Sequence, residues 1–195
     1  MAYEIVVVGT SWGGLAAIRQ LIGGLPPAFA VPIVVVQHRH KNSDHLLTSL
    51  LQDHTPLCVC DVEDKAPIVG GNIYVAPADY HLLVEHGQFS LSTEEAVLFS
   101  RPSIDVTFTS VADTYGPRAV GVILTGANGD GAQGLRRIFD RGGLAFVQRP
   151  DTAESATMPT AAIRAVPKAR VLTIPEIAAR LASLPVAVAS RSATS

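Results

Sequence analysis

The chain has 195 residues, 48% of them apolar and 16% charged, and its 15 Lys and Arg against 17 Asp and Glu give a formal charge of −2. That length suits one compact domain, the apolar fraction excludes intrinsic disorder, and no basic stripe marks a binder that neutralises nucleic-acid phosphates. The charged fraction lies below the ~25% usual for a soluble domain, so either the core is deep or apolar surface meets a partner. Met1-Ala2-Tyr3-Glu4 has no basic flank and the apolar run Ile5 to Val8 is short, which excludes a signal peptide. The longest apolar stretch, Ala28 to Val36, contains Pro32 and falls far short of the ~18 residues of a membrane-spanning helix. Together these features place the chain in the cytoplasm, with no membrane insertion and no nucleic-acid partner.

In chain order, the β-branched run Tyr3 to Val8 predicts a buried parallel strand ending at Gly9. Leu15, Ile18, Leu21 and Ile22 then fall at helical spacing until Gly23-Gly24-Leu25-Pro26-Pro27 stops them. A second buried strand, Ile33 to Val36, leads into Gln37-His38-Arg39-His40, and a helix is expected from an N-cap at Ser43 through Leu51. Short strands follow at Leu57 to Val59, Ile73 to Val75, His81 to Glu85 and Gln88 to Leu91, the last two joined by a hairpin turn at His86-Gly87. Cys58 and Cys60 share a strand face that does not favour bridging, and with no other Cys there is neither a disulfide framework nor a zinc knuckle. Helices are expected over Pro102 to Tyr115, Gly131 to Arg141, Pro159 to Val166 and Pro175 to Leu184, alternating with strands at Ala119 to Leu124, Leu144 to Val147 and Arg170 to Leu172. The Ala/Ser/Val tail from Pro185 has no period and is expected to fray. This alternation describes an α/β fold: a doubly wound, mostly parallel sheet with helices on both faces and an antiparallel β-hairpin insertion.

In such folds chemistry gathers at the carboxyl ends of the strands. The first exit, Gly9-Thr10-Ser11-Trp12-Gly13-Gly14, matches G-x-S-x-G, a turn that can lift the Ser11 hydroxyl above the sheet beside helix N–H groups; it is also compatible with a plain strand-to-helix turn. The second exit offers His38 as a general base or as a surface-loop histidine. His38 and His40 stand two apart, but with no third ligand nearby they make a poor metal site. At the third exit, Leu124 to Ala132, Asp130 can cap the helix it precedes or hold a histidine in one tautomer. Each of Ser11, His38 and Asp130 therefore stands at the end of a different buried strand, in the order Ser…His…Asp.

These residues lie in ordered motifs: V-V-G-T-S-W-G-G, V-V-Q-H, I-Y-V-A-P-A-D-Y-H, R-P-S-I-D-V-T-F-T-S, G-V-I-L-T-G-A-N-G-D-G-A-x-G-L and M-P-T-A-A. From about Ile5 to Leu184 the chain resembles the catalytic domain of the chemotaxis-receptor protein-glutamate methylesterases, the CheB family. The resemblance implies a nucleophile at Ser11, a base at His38 and an orienting carboxylate at Asp130, with oxyanion donors at the Trp12 and Gly13 amides. It further implies that Asn128, Gly129 and Gly131 shape the loop presenting Asp130, and that Met158-Pro159 forms a packing turn near the site. The implied reaction is hydrolysis of γ-glutamyl methyl esters on the cytoplasmic helices of chemoreceptors, with glutamine deamidation in some members, and it needs no metal or organic cofactor.

On this reading residues 1–185 form the catalytic domain and 186–195 a disordered tail. Family members commonly carry an N-terminal receiver domain, whereas here Tyr3 already belongs to the first strand, so the site is expected to be open by default and a separate regulatory protein could dock on it. Trp12 replaces a small or hydroxylated residue of the family, Ala127 its Met and His40 its Pro, which bears on the substrate. Arg101 either meets an acidic receptor surface or forms an Arg–Asp pair with Pro102 at a helix N1 position. Two other functions fit the same fold: a catalytically weak docking module and a small-molecule carboxylesterase.

Overall fold

The computed structural model describes residues 2–39, 46–97 and 100–185. Its elements follow in chain order as β1 (Ile5–Thr10), α1 (Gly14–Gly23), β2 (Ile33–Gln37), α2 (Leu46–Gln52), β3 (Cys58–Asp61), β4 (Asn72–Val75), β5 (His81–Glu85) and β6 (Gln88–Ser92). They continue as α3 (Ile104–Tyr115), β7 (Ala119–Ile123), α4 (Ala132–Asp140), β8 (Leu144–Gln148), α5 (Thr157–Ala165), β9 (Arg170–Leu172) and α6 (Ile174–Ala182). The expected N-cap Ser43, His40 of the metal reading and the tail 186–195 lie outside the described residues.

Among the described residues, seven strands form one sheet in the order β3-β4-β2-β1-β7-β8-β9, and every adjacent pair is parallel. The antiparallel pair β5-β6 is a separate two-stranded sheet that packs on α3. The doubly wound expectation holds. In β1, Ile-Val-Val-Val is buried on both faces because successive side chains point to opposite sides. Val6 and Val8 pack with Ile18, Leu21 and Ile22 of α1 and with Leu51, Ile177 and Leu181 of α2 and α6. Ile5 and Val7 share the other core with Ile104 and Phe108 of α3, Leu135 of α4, Ala162 of α5 and Phe89 of the hairpin. No helix among the described residues is long and apolar enough to cross a membrane.

Several boundaries shift, for physical reasons. The first strand runs on through Gly9 to Thr10, because Gly9 and Thr10 keep their parallel register with Val36 and Gln37 of β2. Helix α3 starts at Ile104 rather than Pro102: Ser103 is its N-cap, accepting from the Val106 amide, so Pro102 precedes the cap and is not at N1. Met158-Pro159 is not a turn but lies in the first turn of α5, where the missing proline N–H would have had no helical partner. Both free cysteines lie on β3, as expected.

Candidate active site

The sheet order places β2, β1 and β7 side by side, so Gln37-His38, Ser11 and the loop bearing Asp130 leave adjacent strands at one edge. This is the crevice that open parallel sheets offer beyond their strand ends. The turn carrying Ser11 is gripped from both neighbours. On the β2 side, the Gln37 side-chain amide donates to the Ser11 carbonyl at 2.8 Å and to the His38 carbonyl at 3.0 Å. On the β7 side, the Thr125 carbonyl accepts from the Ser11 amide at 2.9 Å, and the Thr125 hydroxyl donates to the Trp12 carbonyl at 2.9 Å. Gly13 caps α1 in the left-handed region at φ 76°, which a side chain disfavours. The Trp12 and Gly13 amides and the Ser11 hydroxyl have no hydrogen-bond partner among the described residues, so unpaired donors surround the serine.

His38 and Asp130 meet directly: Nε2 lies 2.7 Å from Oδ2, with the two side chains 11% and 0% exposed. The carboxylate also accepts from the Ser103 hydroxyl at 3.0 Å, the Ile104 amide at 2.7 Å and the Asp105 amide at 2.9 Å. A carboxylate that accepts from three other donors and has no proton to give leaves His38 Nε2 as the protonated nitrogen and Nδ1 as the acceptor, and the Asn128 side-chain amide donating toward Nδ1 at 3.4 Å agrees. Burial by itself pushes the Asp130 carboxyl up, but the His38 ring and the Asp105 and Ile104 amides outweigh it, and the group lies below its ordinary value. It is therefore an anion held at the positive end of α3.

Asp130 does not cap the helix it precedes. Gly131 is the N-cap of α4, at φ 94°, and a Cβ there would meet Ile104 Cγ2 at 2.6 Å. The close approach lets α3 and α4 exchange carboxylates: Asp130 before α4 caps α3, while Asp105 in α3 accepts from the Gly134 amide of α4 at 2.7 Å. Asn128 folds the loop by accepting from the Asp130 amide at 3.2 Å, and Gly126 beside it is pressed against Met158. Ser103 is held in turn by His81 of the hairpin, whose Nδ1 accepts the Ser103 amide at 3.2 Å.

Asp105 behaves oppositely to its neighbour. Burial, opposed by the Gly134 amide and reinforced by nearby Asp130, pushes its carboxyl up to about 6. Because the folded value lies above the unfolded one of ~3.9, the unfolded chain loses this proton first. Stability contributed by this group is thus full below about pH 4, falls as pH rises, and is lost above about pH 6. Asp105→Asn keeps an acceptor for Gly134 and removes the buried charge. It is expected to raise the urea-unfolding free energy by about 1–3 kcal/mol at pH 8 and by little at pH 4. A gain independent of pH would contradict the assignment.

An open cleft of about 520 Å³ lies over the serine turn, lined among others by Ser11, Trp12, Gly13, Gln37, His38 and Glu154. Trp12 projects from it, 65% exposed, and does not fill it. Arg101 is tied to Asp79 at 2.6 Å and to the Thr93 and Glu94 carbonyls, which supplies the Arg–Asp pair of the second reading. Among the described residues no cluster of three or more His, Cys, Asp or Glu side chains could hold a metal ion. Sequence reasoning passed over Gln37, Thr125, Ser103 and Asp105. Gln37 at least adjoins a candidate residue, whereas the others act across 25 or more residues of chain and leave no local spacing to read.

The family model described as CheB methylesterase matches residues 6–181. A Leptospira interrogans protein named for protein-glutamate methylesterase and protein-glutamine glutaminase activities is 47% identical over 179 residues, covering 91% of this chain and 93% of that protein. The protein-glutamate methylesterase/protein-glutamine glutaminase 2 of Anaeromyxobacter dehalogenans is 39% identical over 93% of this chain, which spans only 53% of it. Among solved structures, the Thermotoga maritima CheB methylesterase catalytic domain superposes with a TM-score of 0.88 at 31% identity, covering 93% of this chain and 98% of that one.

Proposed function

The chain belongs to the CheB methylesterase family, and on that footing we propose that it is a serine esterase that removes methyl groups from glutamyl side chains of chemoreceptors, with deamidation of receptor glutamines as a second activity. The observation that supports this reading is the 2.7 Å bond between His38 Nε2 and a fully buried Asp130, with His38 lining the same cleft as a serine whose hydroxyl is uncommitted. Ser11 Oγ attacks the ester carbonyl carbon as His38 Nδ1 takes its proton. The resulting oxyanion is met by the Trp12 and Gly13 amides at the start of α1, a type of donor worth about 10²–10³ in rate. The imidazolium, stabilised by Asp130, passes its proton to the leaving methoxide, giving methanol and an acyl-serine. Water then attacks the acyl carbon with His38 as base, releasing glutamate and restoring Ser11. The ring is turned about relative to the usual triad: Nε2 meets the carboxylate, which leaves Nδ1 to act as the base. Every step is supplied by this chain and water.

Asn128, Gly129 and Gly131 serve to present Asp130, residues up to 185 form the catalytic unit, and the cytoplasm is its compartment. The test is a receptor cytoplasmic fragment carrying radiolabelled methyl esters. Volatile methanol should appear in proportion to the added protein, and ammonia from a glutamine-bearing fragment would extend the activity to amides. Hydrolysis of a chromogenic acetate without methanol release from the receptor would instead favour a small-molecule carboxylesterase, and turnover of neither would leave a docking module.

A further inference from the structure

The cleft does not end at the serine. It extends along α1, where Leu15, Ala16 and Arg19 fall at helical spacing and line it together with Trp12 of the preceding turn. Its two ends differ in charge. At the serine end the exposed Glu154 side chain lies against Gly13. At the far end stands Arg19, which makes no hydrogen bond or ion pair to any described residue, and whose Nε is shut off from solvent without an acceptor. Arg101, Arg118, Arg136, Arg137, Arg141 and Arg149, by contrast, each hold a carboxylate of this chain. An orphaned guanidinium lining the same cleft as an exposed indole is an arrangement completed by a ligand, because arginine binds carboxylates through a planar fork and aromatic residues anchor protein contacts.

We propose that this flank of α1 is a docking subsite for the substrate protein, taking an acidic side chain on Arg19 and apolar contact on Trp12 and Leu15. The occupant is a polypeptide segment, and the proposal rests on the esterase reading of Ser11. Arg19 stands in the second turn of α1, about 8 Å along the axis from the helix start at Gly14, and a helical arginine leans back toward the N-terminus by up to a turn. The acidic group therefore stands about 5–10 Å from the reacting ester, which on a helical substrate is four to seven residues away. Glu154 disfavours a carboxylate at the serine end, so a neutral ester enters there and an acid is accepted only farther along. The subsite thus selects an uncharged γ-methyl glutamate with acidic neighbours over an isolated ester.

Trp12 is the chain's one tryptophan, so its fluorescence reports occupancy of the cleft it lines. The experiment titrates two tryptophan-free synthetic helical peptides into the Ser11→Ala protein, which leaves the ester unreacted. Each carries one γ-methyl glutamate, with either Glu or Gln at the four positions four and seven residues to either side. The Glu peptide should bind about fivefold more tightly, with the preference fading as salt is raised. Adding Arg19→Gln should equalise the two dissociation constants, and Arg19→Lys should keep part of the preference. Equal binding of both peptides by the Arg19 protein, or a preference that survives Arg19→Gln, overturns the subsite. Because binding is read without turnover, these outcomes are separate from the methanol assay, whose failure would remove the esterase reading instead.

Discussion

Asp130→Asn should lower kcat by about 10⁴ and destabilise the fold at the same time. The catalytic part follows from the tautomer. An asparagine that turns its amide nitrogen toward His38 Nε2 moves the ring proton to Nδ1, the nitrogen assigned to take the Ser11 proton. The structural part follows from the other three donors, Ser103 Oγ and the Ile104 and Asp105 amides, which approach both carboxylate oxygens. Whichever way the new amide faces, its NH₂ opposes a donor at the start of α3, so a further loss of about 1–3 kcal/mol is expected. The two parts separate experimentally, since kcat per folded molecule is read well below the melting temperature and stability by urea titration. A kcat loss below tenfold in folded protein would reduce Asp130 to its helix-capping role.

Ser11→Ala should show the opposite partition, with turnover falling by about 10⁴ or more and stability almost unchanged. The serine turn is held by main-chain groups: the Ser11 amide donates to Thr125, and the Ser11 carbonyl accepts from the Gly14 amide and the Gln37 side chain. None of these needs the hydroxyl, so the melting curve should move by no more than about 0.5 kcal/mol. Methanol release near the wild-type rate by a folded variant would remove Ser11 from the mechanism. Cys60 is no substitute nucleophile, because burial and the neighbouring Cys58 and Asp61 push its thiol up to about 11.

What could be read ahead of the structure was what leaves a periodic trace. The continuous β-branched runs of β1 and β2 announced a sheet covered on both faces, and the glycine-rich exits announced where its carboxyl edge would be. Polar residues at three such exits then named Ser11, His38 and Asp130 as candidates, of which the structure joins His38 to Asp130. The contacts between them leave no such trace. Asp130 standing between two glycines looks like the cap of its own helix, and only the close packing of α4 on α3 turns it toward a helix that begins 26 residues earlier. Pro159 misled for a related reason: proline interrupts a helix in its interior but not in its first turn, and the helix start at Thr157 has no strong capping residue to mark it. Arg19 was invisible as a candidate, since a buried guanidinium nitrogen without an acceptor is a property of the folded chain that leaves no mark in the spacing of an amphipathic helix.

The double duty proposed for Asp130 also bears on how this fold decays. Neither the Ser11 hydroxyl nor the His38 ring holds a helix in place, so descendants released from selection for turnover can lose either one by drift and still fold. Asp130 is different, because its loss uncovers the start of α3 in every descendant, active or not. Silent members of the lineage should therefore keep an aspartate with no histidine left to orient, and should keep Ser103 with it. In such a chain the aspartate alone is a poor witness to catalysis; the informative residues are the two that the fold can spare.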